Sequence, residues 1–306
     1  MVTGRLPASF TPATVAAQAP GTSGESVSGG SRGRLGLQSY TVMVPLERDF
    51  EGTLRSVADM GYGEIETIGA FGRDPRFVRE LLESHGLKSP SQHLVPGNLY
   101  SVFKAFAERR LSEIDVRRLW LEGMPIDRVA PIVEEGIARA SVLGQQHLVW
   151  QIIWPEQMSS RVMLERFCRA MNVAGELCAN AGMVFSFHNH AIEFTPVDGC
   201  VPYDVILQDT DPQTVKFEMD VYWAKAANVD PLEYLSRNPG RYRQCHLKDS
   251  GADGGITVPG RGSIDFSAVL AAANDAGVEH YYVEFDRSDD PMGVARDSYQ
   301  YLAPLM

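Results

Sequence analysis

From Leu35 onward, short apolar runs rich in β-branched and aromatic residues alternate with longer stretches whose apolar residues recur at helical spacing. Eight such runs predict strands, over residues 35–42, 64–68, 88–94, 147–153, 183–188, 215–220, 244–248 and 280–285. Between them, Leu54, Val57 and Met60 fall on one helical face, as do Phe77, Leu81 and Leu82, and later Phe266, Val269, Leu270 and Ala273. Glycine stands where helix gives way to strand, at Gly61, Gly86, Gly144, Gly182 and Gly277, which suits left-handed helix caps. Strands that alternate with helices through right-handed crossovers make a parallel sheet, and eight repeats close it into a (β/α)₈ barrel, the TIM-barrel fold of the α/β class. A doubly wound open sheet is the rival. It carries a glycine-rich phosphate loop after its first strand, and Tyr40-Thr41-Val42-Met43-Val44-Pro45 contains no glycine.

Two segments depart from the repeat. Between the third and fourth strands, residues 128–143 read as the expected barrel helix, but residues 97–125 add a further helical pattern (Leu99, Val102, Phe103, Phe106) and Leu119-Trp120-Leu121. An insertion after a strand's C-terminal end projects over the face where barrel enzymes work, as a lid or substrate wall, or else packs on the rim. Residues 1–34 are rich in Pro, Ser, Thr, Gly and Ala and read as a disordered tail, because they cannot bury enough surface to offset their ordering entropy. The expected organisation is therefore a tail over 1–34 and one barrel over 35–306.

The 306-residue chain carries a formal charge of −11. The tail is positive (Arg5, Arg32 and Arg34 against Glu25), so the barrel is more acidic still. An acidic body repels phosphate backbones and anionic membranes, which argues against nucleic-acid and membrane partners. No apolar run approaches the ~18 residues needed to cross a bilayer, and residues 14–19 are at most a remnant of an export signal, so a cytoplasmic location is expected. Cys168, Cys178, Cys200 and Cys245 lack the spacing of a metal finger or a C-x-x-C pair and read as reduced, structural thiols.

A polar residue at the C-terminal end of a barrel strand points into the site that barrel enzymes share. Those positions here hold Glu66, His93, Gln151, His188, His190, Asp220, His246, Lys248 and Glu284. A single buried histidine would pass as a satisfied core group; so dense a set would not. Buried charges need partners, and a bound cation is the natural one for Asp220 and Glu284 facing His246. Imidazole with carboxylate oxygen suits Mn²⁺, Fe²⁺, Co²⁺ or Zn²⁺, and Mg²⁺ less well. Gly260-Arg261-Gly262 follows the seventh strand and offers backbone N–H groups and a guanidinium to an anionic or hydroxyl-rich group, or else is a tight turn with a surface arginine.

Read in order, Leu35-Gly36-Leu37-Gln38-Ser39-Tyr40-Thr41-Val42, Gly61-Tyr62-Gly63-Glu64-Ile65-Glu66 and Phe187-His188-Asn189-His190-Ala191-Ile192-Glu193-Phe194 form the first half of a pattern. Met219-Asp220-Val221-Tyr222-Trp223, His246-Leu247-Lys248-Asp249, Gly260-Arg261-Gly262-Ser263-Ile264-Asp265-Phe266 and Val283-Glu284-Phe285-Asp286 complete it. The chain thereby resembles the xylose-isomerase-like superfamily, in its sugar phosphate isomerase/epimerase branch, from Leu35 to about Leu302. The resemblance implies one divalent ion, Mn²⁺ first, on His188, Asp220, His246 and Glu284. It departs at His188, where ketose epimerases carry a glutamate that is one of two opposed acid/base groups. Metal binding survives that change; a symmetric two-glutamate proton shuttle does not, unless His188 stays unligated or Glu193 or His190 substitutes.

The activity so implied is sugar isomerisation or epimerisation, by proton abstraction beside a carbonyl through an enediolate. Glu284 would be the base, Lys248 would stabilise the oxyanion, and His188 would complete the catalytic set. Glu66, His93, Gln151, His190, Glu193, Trp223 and Arg261 would contact a small carbohydrate substrate, with Trp150 or Trp154 as further stacking surfaces. The alternative is a lyase that removes the proton of a 3-keto-glycoside and expels the O- or C-linked aglycone, which needs one base and room for the aglycone. A non-catalytic sugar-binding barrel is the reading outside enzymology, and retained metal discriminates it. An apurinic endonuclease of the same superfamily would need a basic face. Association into a homo-oligomer is in keeping with the resemblance.

Overall fold

Side chains alternate across a strand, and here both sides are buried. One side of every strand but the polar third one carries apolar residues outward, under the helices: Leu37, Ile65, Leu148, Phe185, Phe187, Phe217, Met219, Cys245, Leu247, Tyr281 and Val283 are all almost fully buried. Each large apolar side chain so covered stabilises the fold by about 1.5–3 kcal/mol. The other side faces the barrel axis and is largely polar. This computed structural model describes residues 35–306; the predicted tail, 1–34, lies outside the described residues.

Among those residues the barrel strands are β1 (Leu35–Gln38), β2 (Glu64–Ile68), β3 (Ser91–His93), β4 (His147–Trp150), β5 (Val184–His188), β6 (Val215–Asp220), β7 (Tyr242–Leu247) and, after a short antiparallel hairpin of β8 (Asp249–Ser250) and β9 (Ile256–Thr257), β10 (His280–Val283). They close in the order β1-β10-β7-β6-β5-β4-β3-β2, every pair parallel. Gly144 and Gly277 end their helices with φ of 78° and 93°, a conformation that penalises any Cβ. Gly36 has a different reason: a Cβ there would come within 2.5 Å of the Tyr282 ring, which fills the barrel interior.

Several strands are shorter than their apolar runs. Residues 39–42 leave β1 and wind into a 3₁₀ turn, because the Gln38 side chain accepts the Tyr40 N–H at 3.0 Å and turns the chain over the rim. Before β3, Lys88 keeps a single bridge to Glu64, and Pro90 supplies no N–H to extend it. After β3 the inserted residues form a 3₁₀ turn (Gly97–Leu99) and two helices (Tyr100–Ala107 and Glu113–Gly123) ahead of the barrel helix Val129–Leu143. The four cysteines are free thiols, three of them buried and Cys200 half-buried. No helix among the described residues is long and apolar enough to cross a membrane.

Candidate active site

Four ligand-type atoms from four consecutive staves converge at the C-terminal end of the barrel. His188 ends β5, Asp220 ends β6, His246 lies one residue before the end of β7, and Glu284 follows β10. One nitrogen or oxygen of each lies within 4.8 Å of the others, and all four residues are buried. Asp220 has two tasks. Its Oδ1 caps the helix Val221–Ala226 by accepting the Trp223 N–H at 3.0 Å. That leaves Oδ2 turned inward, 3.9 Å from His188 Nε2 and 3.9 Å from His246 Nδ1, without a hydrogen bond of good geometry.

A second layer of carboxylates orients the imidazoles. His188 Nδ1 is 2.9 Å from Glu218 Oε2, and His246 Nε2 is 2.7 Å from Glu66 Oε2. Burial pushes the Glu218 carboxyl up, as does neighbouring Glu66, yet His246 and His188 outweigh both and hold it at about 2. Burial likewise acts against ionisation of Glu66, but His93 and His246 hold it below the usual range. Ionised carboxylates only accept, so His188 Nδ1 and His246 Nε2 carry protons and His188 Nε2 faces Asp220. His246 Nδ1 lies 2.8 Å from Glu284 Oε2, and against its burial Glu218 and Glu284 raise the pKa of this ring well above the ordinary histidine value, so an ion would have to displace its Nδ1 proton. This carboxylate–histidine relay is the arrangement that orients metal-bound imidazoles. Two imidazole nitrogens and two carboxylate oxygens suit a borderline divalent ion, so the residues present fit the metal that the sequence resemblance implies. His93 joins the layer, 3.2 Å from Glu66 and 3.1 Å from Glu218. Burial would lower its pKa, but these two carboxylates raise it to about 9.

Lys248 is the cation at the heart of the site. Its ammonium lies 2.9 Å from Asp220 Oδ2, 2.7 Å from Glu284 Oε2 and 2.9 Å from Asp286 Oδ1, and 5.5 Å over the Trp223 ring. Burial alone would discharge it; Asp220, Asp286 and Glu284 hold its pKa well above the ordinary lysine value. In return, Lys248 and His246 overcome the burial of Glu284 and keep that carboxyl well below the carboxylate range. Asp220 goes the other way: its burial outweighs Lys248 and raises it to about 6.

Above these groups opens a chamber of about 400 Å³. His93, Gln151, His188, His190, Trp223, Lys248, Glu284 and Asp286 form its polar side; Phe103, Phe106, Val116 and Trp120 of the insertion, with Ile152, Ile153 and Trp154, form its apolar side. Burial depresses His190 to about 3, so its ring is neutral.

Of the residues expected to touch substrate, His93, Gln151, His190 and Trp223 line this chamber, and Glu66, Glu193 and Arg261 do not. Glu66 is fully buried beneath it, bonded to Gln38, Ser91 and Gln244 as well as His246. Glu193 is buried behind the loop and accepts the His190 N–H at 2.9 Å. Arg261 is an exposed side chain paired with Asp297 at 2.7 Å. The N–H groups of its loop are not offered to a ligand: Gly260, Gly262 and Ile264 donate theirs to the buried Asp249 carboxylate. Two sequence landmarks, the strand end at Asp249 and the glycine-rich turn, are thus one structural unit. Trp150 is also off the chamber; its indole N–H donates to Ile152 O in the core. Glu218 and Asp286 were missed. Each lies two residues from a named site residue, Asp220 and Glu284, so strand alternation alone would have placed Glu218 on the same inward side.

The sequence model described as "Xylose isomerase-like TIM barrel" matches residues 54–305, and the chain belongs to that family. It is similar to the inosose dehydratase of Salmonella agona, 24% identical over 248 residues, covering 74% of this chain and 77% of that protein. The inosose dehydratase of Geobacillus kaustophilus is 27% identical over 241 residues, covering 71% and 73%. Among solved structures, a sugar phosphate isomerase/epimerase from Parabacteroides distasonis superposes with a TM-score of 0.72 at 26% identity, covering 88% of this chain and 98% of that one.

Proposed function

We propose that the protein is a divalent-metal-dependent lyase that takes the proton beside a ketone of a sugar-like ring and expels a group from the next carbon. The observation that carries this reading is the one-sidedness of the site. Apart from Glu113 of the insertion, the carboxylates that line the chamber are Glu284 and Asp286, which both come from the end of β10 and share Lys248, while the groups across the chamber are the imidazoles of His93, His188 and His190. One carboxylate base suffices for elimination, whereas inversion at carbon needs an acid and a base on opposite faces.

A divalent ion on His188, Asp220, His246 and Glu284 would polarise the ketone and acidify the C–H beside it. Glu284, kept ionised by Lys248, accepts that proton. Lys248 donates toward the oxyanion that develops on the carbonyl oxygen. His93, Gln151 and His190 orient ring hydroxyls, and Trp223 covers a ring face. As the C–H electrons form the new double bond, the β carbon–oxygen bond breaks, and its oxygen leaves with the proton that Glu284 took from the carbon. The apolar side built by Phe103, Phe106, Trp120 and Trp154 gives a leaving group larger than water a surface to rest on. The dehydratase relatives support elimination. The isomerase/epimerase neighbour supports a second reading, in which the same first step is followed by proton return from His188 or His190.

Incubation of the Mn²⁺-loaded protein with 3-keto-glycosides, keto-cyclitols and ketoses in D₂O, followed by NMR, separates the two. Release of the leaving group with an unsaturated ketone or its hydrate is the expected result. Deuterium at the carbon beside the ketone with an accumulating epimer or isomer would establish the second reading, and neither outcome would overturn both.

A further inference from the structure

The N-terminal mouth of the barrel, at the opposite end from the chamber, holds a separate group of metal-type ligands. His147 opens β4 and His280 opens β10, staves that stand four apart either way around the closed sheet and so face each other across the axis. Their rings meet edge to face with centroids 5.0 Å apart. Glu279 precedes His280, and its Oε2 is 4.0 Å from His147 Nε2. One ligand atom from each of the three lies within 4.8 Å of the other two.

Two details point to a ligand rather than to packing. His280 Nδ1 lies 2.8 Å from Glu64 Oε2, the second-layer carboxylate that leaves Nε2 as the free nitrogen. His147 has 3% of its side chain exposed, yet its Nδ1 has no hydrogen-bond partner. A buried imidazole without a partner is a standing cost. Burial and the neighbouring His280 also lower the His147 pKa to about 4, so the ring is neutral and able to coordinate.

We propose that His147, His280 and Glu279 form a second divalent-metal site, of the Zn²⁺, Co²⁺ or Ni²⁺ class, that ties β4 to β10 across the N-terminal mouth. Two imidazoles and a carboxylate with open positions are a zinc-type donor set. Bonds of about 2.0–2.1 Å bring such ligands closer together than they stand here; Glu279, half-exposed at its side chain and otherwise 3.5 Å from Arg243, is the arm free to close. Its role is structural. Four residues of strand, roughly 13 Å, separate His147 from Gln151 and His280 from Glu284, so an ion here cannot touch the substrate.

The test is titration of chelator-stripped full-length protein with Zn²⁺ by calorimetry, together with thermal unfolding. The wild type is expected to bind two equivalents, and Asp220→Asn with Glu284→Gln to retain one. Glu279→Gln, at an exposed position, should weaken that remaining equivalent by more than about tenfold and remove its share of the Zn²⁺-induced rise in Tm. His280→Gln should do the same. A single wild-type equivalent that Asp220→Asn with Glu284→Gln abolishes, a second one that survives both substitutions at the mouth, or binding only in the millimolar range would overturn the proposal. The outcomes that overturn this second site leave the lyase reading standing, since that reading is tested at the other end of the barrel.

Discussion

Glu218 accepts the Nδ1 proton of His188 at 2.9 Å, and that bond decides which nitrogen of His188 faces Asp220. The departure from an epimerase-type glutamate at this position is therefore accompanied by a carboxylate directly beneath it. With Glu218 exchanged for glutamine, the amide can donate to Nδ1 and turn Nε2 into the protonated nitrogen, so Glu218→Gln should weaken Mn²⁺ binding by about 10–100-fold. Calorimetric titration of the stripped protein measures this directly. Affinity within twofold of wild type would sink the tautomer argument.

Lys248 contacts the same two oxygens, Asp220 Oδ2 and Glu284 Oε2, that the proposed ion would take. Removing the ammonium leaves buried carboxylates unpaired, at a cost of about 3–5 kcal/mol. Lys248→Met should therefore lower the Tm of the stripped protein and enlarge the rise in Tm produced by Mn²⁺. Turnover should fall even when metal is saturating. A smaller metal-induced rise than in wild type would show that Lys248 helps to hold the ion instead of competing with it.

Burial raises Glu193 to about 8. The folded chain therefore keeps a proton that the unfolded chain, with a carboxyl near ~4.3, has already released. The stability this contributes is complete below the unfolded value and is lost as pH rises through about 8. Wild type should lose stability relative to Glu193→Gln across that window, at up to about 1.4 kcal/mol per pH unit. Urea unfolding of both proteins at acid, neutral and alkaline pH reads the difference; parallel curves would mean that Glu193 ionises freely. His190, whose N–H it accepts, and nearby Asp220 are the groups to monitor alongside.

Phe106 forms part of the apolar wall, with the Arg287 guanidinium 3.9 Å over its ring. Under the lyase reading, Phe106→Ala should raise KM by about tenfold or more for substrates with an aromatic leaving group and leave methyl glycosides nearly unchanged. Equal losses for both would assign Phe106 to the fold of the insertion and not to the leaving group.

The sequence by itself determined the barrel. Alternation of apolar runs with helical faces is a local property, enforced at every strand by the need to bury Leu37, Phe185 or Phe217 under a helix, and so it reads directly from the chain. It also placed His188, Asp220, His246 and Glu284 at neighbouring strand ends, because residues at strand ends converge whenever parallel strands close around an axis. Only the tertiary structure decided what lies behind and around those residues. Glu66 and Glu193 turned from expected substrate contacts into buried supports, since their partners come from distant segments and the packing of loops over the rim. Arg261 turned outward because Asp249, eleven residues or more away along the chain, takes the N–H groups of its loop. Glu218 acquired its role from three histidines on β3, β5 and β7. The facing pair His147 and His280 belongs to staves far apart in sequence, and only closure of the barrel brings them together.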